Sequence, residues 1–175
     1  MRVASMFLAS LLALSGLARA GEMLKAGEAF PAWELVDQSG VKVSSADLAG
    51  KTYLLYFYPK AMTSGCTKEG CMIRDNFAGF QKAGIEVVGV SFDDPKDNAE
   101  FIRQQHFPFR LLSDSDRKLA VAVGAADSPS RMMARRISYL VGADGRVLVA
   151  YDHVDPTTHA TQVLADAGKL KAAPK

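Results

Sequence analysis

Two largely apolar runs of strand length organise the chain. Tyr53–Tyr58 (YLLYFY) and Ile85–Phe92 (IEVVGVSF) are apolar or aromatic at nearly every position, the pattern of central strands covered on both faces. Around them the punctuation is regular. Ala32–Val36 and Val41–Ser44 read as short strands joined by the turn residues Asp37-Gln38-Ser39-Gly40. Pro59 stops the first long run, and Met72, Ile73, Phe77 and Phe80 recur near helical spacing, predicting one helix from about Ser64 to Ala83 that Gly84 ends. Asp94-Pro95 opens another helix as N-cap and first helical residue, running to about Gln105. A short strand at Arg110–Leu112 and a short helix at Asp116–Val123 follow. Arg136–Val141 and Val147–Asp152 form a hairpin about Ala143-Asp144-Gly145, and Pro156–Leu170 closes the chain as a helix capped by Asp155. The order predicts an α/β fold, a mixed central sheet flanked by helices. With no internal repeat or low-complexity linker, one domain is the economical reading.

The first twenty residues stand outside that pattern. Met1–Ala20 has an early arginine, an apolar stretch from Met6 to Leu14, and a small-residue ending Ala18-Arg19-Ala20. This reads as a secretory signal peptide over residues 1–20, with the domain at 21–175 and the bacterial periplasm as its destination. The apolar run falls short of the roughly 20 residues that span a bilayer. The segment also changes the charge picture. The chain has 21 basic and 19 acidic residues, and Arg2 and Arg19 supply the whole excess. A near-neutral mature domain gives no electrostatic reason to bind nucleic acid or an anionic membrane.

The candidate chemistry lies in the loop and helix after Tyr58, where α/β sheets gather ligands at the carboxyl ends of central strands. The segment Tyr56–Asn76 reads YFYPKAMTSGCTKEGCMIRDN and holds the only two cysteines, Cys66 and Cys71. Cys66 follows Pro59 and Thr63 at the start of a helix, where free N–H groups favour a thiolate. Lowering a thiol pKa from about 8.5 to roughly 6 raises the thiolate fraction at neutral pH only about thirtyfold. A fast reaction therefore also needs donors aimed at the charge that moves in the transition state. The N–H groups of Gly65 and Cys66, the Thr63 hydroxyl and an arginine would serve. Arg136 opens an apolar strand and is well placed, with Arg131 and Arg135 close beside it as alternatives.

The stretch Tyr56–Asn76 resembles the active-site segment of peroxiredoxins, in particular the peroxiredoxin Q (bacterioferritin comigratory protein) subfamily, which carries both cysteines on one helix with four residues between them. The similarity runs from about Ala26 to Tyr151. It implies a thioredoxin-like fold, a thiol-dependent peroxidase acting on hydrogen peroxide and organic hydroperoxides, and a thioredoxin-like dithiol as reductant. Cys66 would be the peroxidatic cysteine and Cys71 the resolving one, through an intramolecular disulfide. Pro59, Thr63 and Arg136 would complete the pocket. The resemblance implies no cofactor or metal, and the mature protein is expected to act as a monomer. Ser64 stands where the subfamily usually has proline, and Gly124–Ala134 departs from its usual pattern.

Other chemistries meet specific obstacles. Residues five apart on a regular helix have Cα atoms about 8–9 Å apart, beyond the roughly 7 Å that a disulfide allows, so a structural staple does not fit an intact helix. An exported copper chaperone would pair the cysteines with His153 or His159, but such sites space their cysteines more closely. A thiol–disulfide oxidoreductase would want Cys-x-x-Cys, which is absent. A cysteine hydrolase would want a histidine base, and His106, His153 and His159 carry no such motif. Trp33 and Met132-Met133 are read as core or rim packing. For Cys66 and Cys71 to bond, the helix start must unwind. Gly65 and Gly70 weaken it, and Thr67, Lys68 and Glu69 offer no apolar anchor, so Gly70→Ala is expected to stabilise the helix and slow disulfide formation.

Overall fold

The computed structural model describes residues 21–172, so the signal peptide read at residues 1–20 lies outside the described residues. The first half runs β1 (Glu34–Asp37), β2 (Lys42–Ser44), a 3-10 turn (Ser45–Leu48), β3 (Thr52–Phe57), α1 (Ser64–Asp75), α2 (Phe77–Ala83) and β4 (Ile85–Ser91). Then come α3 (Pro95–Gln105), β5 (Arg110–Ser113), α4 (Lys118–Ala122), β6 (Ile137–Val141), β7 (Val147–Tyr151) and α5 (His159–Ala172).

All seven strands form one sheet in the order β2-β1-β5-β4-β3-β6-β7. β3, β4 and β5 are parallel, while β1, β6 and β7 join antiparallel. The mixed α/β plan read from the sequence is therefore the one observed. Side chains alternate across β3 into two cores. Leu55 and Phe57 pack with Val88, Val90 and Tyr139, and Leu54 and Tyr56 pack on the opposite face with Val87, Leu111 and Leu140. α1, α2, α3 and α5 cover the second face through Ile73, Phe80, Phe101 and Val163. α4 and the 3-10 turn cover the first through Leu119 and Leu48.

Several local expectations are corrected. The helix expected from Ser64 to Ala83 is two helices that break at Asn76. There the Asn76 side chain donates to the Met72 carbonyl at 2.8 Å, and a local side-chain bond of this kind competes with helix continuation. The last helix begins at His159 because the Asp155 carboxylate accepts from the N–H of Thr157 at 2.8 Å and holds a turn ahead of it. The short helix begins at Lys118, and its true anchor is the buried Asp114 carboxylate, which accepts from the N–H groups of Leu119 and Ala120. Trp33 is in the core, whereas Met132 and Met133 are exposed.

Candidate active site

The site forms where the central strand β3 hands the chain to α1. Beyond Phe57, the Tyr58 N–H still donates to the Val90 carbonyl at 3.0 Å, continuing the pairing with β4. The Tyr58 hydroxyl is buried and donates to Asn98 Oδ1 at 2.6 Å, and Asn98 Nδ2 donates to Ser113 Oγ at 3.2 Å. This network ties the end of β3 to α3 and β5. Half-buried Pro59 follows directly. The Ala61 N–H then donates to Asp93 Oδ2 at 2.8 Å, and Met62 takes the left-handed conformation at φ 62°. A non-glycine residue at that φ is uncommon and is held there by its surroundings. Together these features turn the chain so that Thr63 is the N-cap and Cys66 lies in the first turn of α1.

Cys66 is buried, and Arg136 Nη2 donates to its sulfur at 3.3 Å. Arg136 stands immediately before β6, the antiparallel neighbour of β3 in which Phe57 faces Ile137, so the sheet register carries its side chain to the start of α1. Arg135 turns elsewhere, donating from Nη1 to the Gly124 carbonyl at 3.0 Å. The structure thus brings Cys66 and Arg136 into contact and sets Thr63 on the adjoining turn. The Thr63 hydroxyl donates to the Lys60 carbonyl at 2.9 Å, not to the sulfur.

Cys71 is on the same helix but on another side of it. Five residues on an α-helix give about 7.5 Å of rise and a rotation of about 140° from Cys66. Its sulfur meets Gln105 Oε1 of α3 at 3.6 Å, and both cysteines are free. The histidines do not gather with them as a metal set would. His153 is exposed and pairs with Asp152, and His159 is buried edge-on to Tyr151 with ring centroids 5.1 Å apart.

Glu69 is the site residue that the sequence reading passed over. It is completely buried, and its carboxylate Oε2 accepts from Arg136 Nη1. Burial raises its carboxyl to about 7, against the downward pull of Arg136. Arg136 therefore bridges two residues one turn apart on α1, Cys66 and Glu69. The segment between the cysteines, without an apolar anchor, is pinned instead through the buried Glu69 carboxylate. Gly70 does more than weaken the helix. A Cβ built there would come within 2.3 Å of Phe107 Cζ, so the glycine permits close packing of α1 against a core aromatic.

The chain matches the model of the AhpC/TSA family over residues 26–150. It is 39% identical over 146 residues to peroxiredoxin Bcp of Escherichia coli (strain K12), covering 81% of this chain and 94% of that one. Among solved structures, peroxidoxin BcpB of Mycobacterium tuberculosis superposes with a TM-score of 0.78 at 29% identity, covering 87% of this chain and 99% of that chain. A structure of the Xanthomonas campestris bacterioferritin comigratory protein, obtained in work on its alkyl peroxide reduction activity, gives a TM-score of 0.75 at 30% identity. It covers 86% of this chain and 98% of that chain.

Proposed function

The chain belongs to the AhpC/TSA family and is a thiol-dependent peroxidase of the peroxiredoxin kind, and from that premise we propose that Cys66 attacks the peroxide and Cys71 resolves the product. The observation that carries the assignment is the contact between Arg136 and the buried Cys66 sulfur in the first turn of α1. A thiolate there meets a fixed cation and the positive end of a helix. The same donors are positioned for the negative charge that passes onto the peroxide oxygens as the O–O bond breaks.

In the first step the Cys66 thiolate forms an S–O bond to the terminal peroxide oxygen while the O–O bond breaks. The departing oxygen takes a proton and leaves as water or an alcohol. The peroxide gains two electrons and Cys66 becomes a sulfenic acid. The Cys71 thiolate then attacks the Cys66 sulfur, expelling hydroxide that is protonated to water, and a disulfide remains. Two thiol exchanges with an exported thioredoxin-like dithiol return both cysteines to thiols. Because the two sulfurs face different sides of α1, resolution requires the helix start to unwind, which breaks the Arg136–Glu69 tie along with the first turns.

Hydrogen peroxide and organic hydroperoxides are the proposed oxidants, the latter supported by the alkyl peroxide activity described for the Xanthomonas campestris relative. The pattern of residues 1–20 supports action in the periplasm after cleavage, and a monomer is the proposed working state. The test is steady-state peroxide consumption by the purified mature protein with thioredoxin, thioredoxin reductase and NADPH. Sustained NADPH oxidation that needs both cysteines is expected. Silence with thioredoxin and with other dithiol proteins alike would contradict the proposed cycle.

A further inference from the structure

The second cysteine has an arginine of its own. Arg74 follows Cys71 by three positions on α1 and so lies on the same face of the helix. Its Nη1 donates to the main-chain carbonyl of Gln105 at 2.7 Å, while the Cys71 S–H donates to the side-chain Oε1 of that same Gln105 at 3.6 Å. The resting thiol keeps its proton on Gln105, and Arg74 is the cation beside it once that proton leaves. One residue at the carboxyl end of α3 thus holds both the guanidinium and the thiol. The Arg74 Nε is bonded to Asp75 Oδ1 at 2.8 Å. That hydrogen bond holds Arg74 above its ordinary pKa, against the downward pull of burial.

We propose that Arg74 is a catalytic residue of the resolving step, stabilising the Cys71 thiolate as it attacks the oxidised Cys66 sulfur. The proposal rests on the reading of Cys71 as the resolving cysteine. An ordinary thiol is only a few per cent thiolate at neutral pH, and an adjacent cation favours the charged form. Cys71 lacks the other device available to Cys66, because it is deep in α1, away from the free N–H groups of the first turn. The groups facing it are Arg74, with Asp75 behind, from α1 and the uncharged amide of Gln105 from α3. From the other packed helices, Phe77 of α2 packs against the same core cluster as Cys71, and the buried His159 of α5 feels the charge of Arg136.

The anchoring also suits the motion. Arg74 binds a carbonyl at the negative end of α3, where a cation is favoured, and it lies on the carboxyl side of Cys71. Unwinding between Cys66 and Gly70 therefore leaves Cys71 and its arginine together. Electrons balance as in any resolution: Cys71 gives a sulfur lone pair, the Cys66 S–O bond breaks, and the hydroxide released becomes water.

The experiment is a single-turnover oxidation of the reduced protein, quenched by alkylation and read by mass spectrometry from about pH 6 to pH 10. Arg74→Met should oxidise at Cys66 at the wild-type rate but form the Cys66–Cys71 disulfide about tenfold more slowly at pH 7. The gap should close above about pH 9, where an unassisted thiol ionises. Arg74→Lys, which keeps the charge, should retain most of the rate. Asp75→Asn, which frees the guanidinium, should let resolution run to lower pH. An unchanged rate in Arg74→Met, or one reduced by the same factor at every pH, would overturn the role of Arg74. A wild-type protein that never forms the intramolecular disulfide would instead overturn the reading of Cys71, and the proposal with it.

Discussion

The ring of Phe107 fills the space beside Gly70, so that a Cβ on Gly70 would stand 2.3 Å from the ring's Cζ and 2.9 Å from both Cε atoms. That ring cannot easily yield. It stacks on Phe109 with centroids 5.1 Å apart and meets Phe101 edge-on at 4.9 Å.

Gly70→Ala is accordingly expected to destabilise the protein, even though alanine is the better helix former. Overpacking of a filled core costs about 1–3 kcal/mol, against roughly 1 kcal/mol of helix propensity gained. Chemical denaturation should show a lower midpoint for Gly70→Ala, partly recovered by adding Phe107→Leu. A midpoint at or above wild type would mean that the ring moves freely aside.

Arg136→Met should slow the first oxidation about tenfold to a thousandfold, as removal of a transition-state donor does. Arg135→Met, whose guanidinium serves the Gly124 carbonyl, should leave that rate near wild type. Removing Arg136 also strands the buried Glu69, and breaking a buried pair costs about 3–5 kcal/mol. Glu69→Gln/Arg136→Met should therefore be more stable than Arg136→Met while remaining slow. Stopped-flow oxidation of the three variants and the wild type reads the rate and urea unfolding reads the stability, and a slow Arg135→Met beside a normal Arg136→Met would move the role one residue upstream.

Acid sensitivity should trace in part to His159. Burial, and then the charge of Arg136, lower it from 6.5 to about 4, and neither ring nitrogen has a hydrogen-bond partner. The unfolded chain therefore binds a proton below about pH 6.5 that the folded chain refuses, and stability falls as pH drops from there toward 4. Glu69 acts in the opposite sense: its carboxyl is raised to about 7, so its contribution falls as pH rises from about 4.5 to 7. Between pH 7 and pH 4.5 the histidine should remove about 2 kcal/mol. Urea unfolding of His159→Leu should therefore show a pH dependence across that range shifted by about 2 kcal/mol in favour of low pH relative to wild type. The same pH dependence in both proteins would exclude a contribution from His159.

The parts of this architecture legible in the sequence are those where one physical demand dominates. Tyr53–Tyr58 and Ile85–Phe92 announce themselves because burial on both faces leaves few polar positions. Asp94-Pro95 and Gly84 mark helix ends through backbone constraints that need no tertiary information. Asn76 was harder to read, since a side chain that interrupts a helix can equally face solvent within one. Glu69 was hidden for a related reason. A glutamate in a helix reads as exposed unless its partner is known, and the partner lies 67 residues away. A signal was present, because Cys66 and Glu69 are three positions apart on one helical face. Gly70 illustrates the limit: its purpose depends on a ring from beyond α3.

The export reading predicts a mature chain that begins at Gly21, the residue whose N–H donates to the Val121 carbonyl at 2.8 Å. Intact-mass measurement of the protein from a periplasmic extract checks this. Recovery of the uncleaved chain from the cytosol would contradict it.

The division of labour between the two cysteines is tested most directly by oxidising each serine variant with excess peroxide in the presence of dimedone, without any reductant. Cys71→Ser should consume one equivalent of peroxide and carry a single dimedone adduct at Cys66. Cys66→Ser should consume none on that timescale, and the wild type should yield the Cys66–Cys71 disulfide with little adduct. Peroxide consumption by Cys66→Ser, with an adduct at Cys71, would contradict the account at its centre.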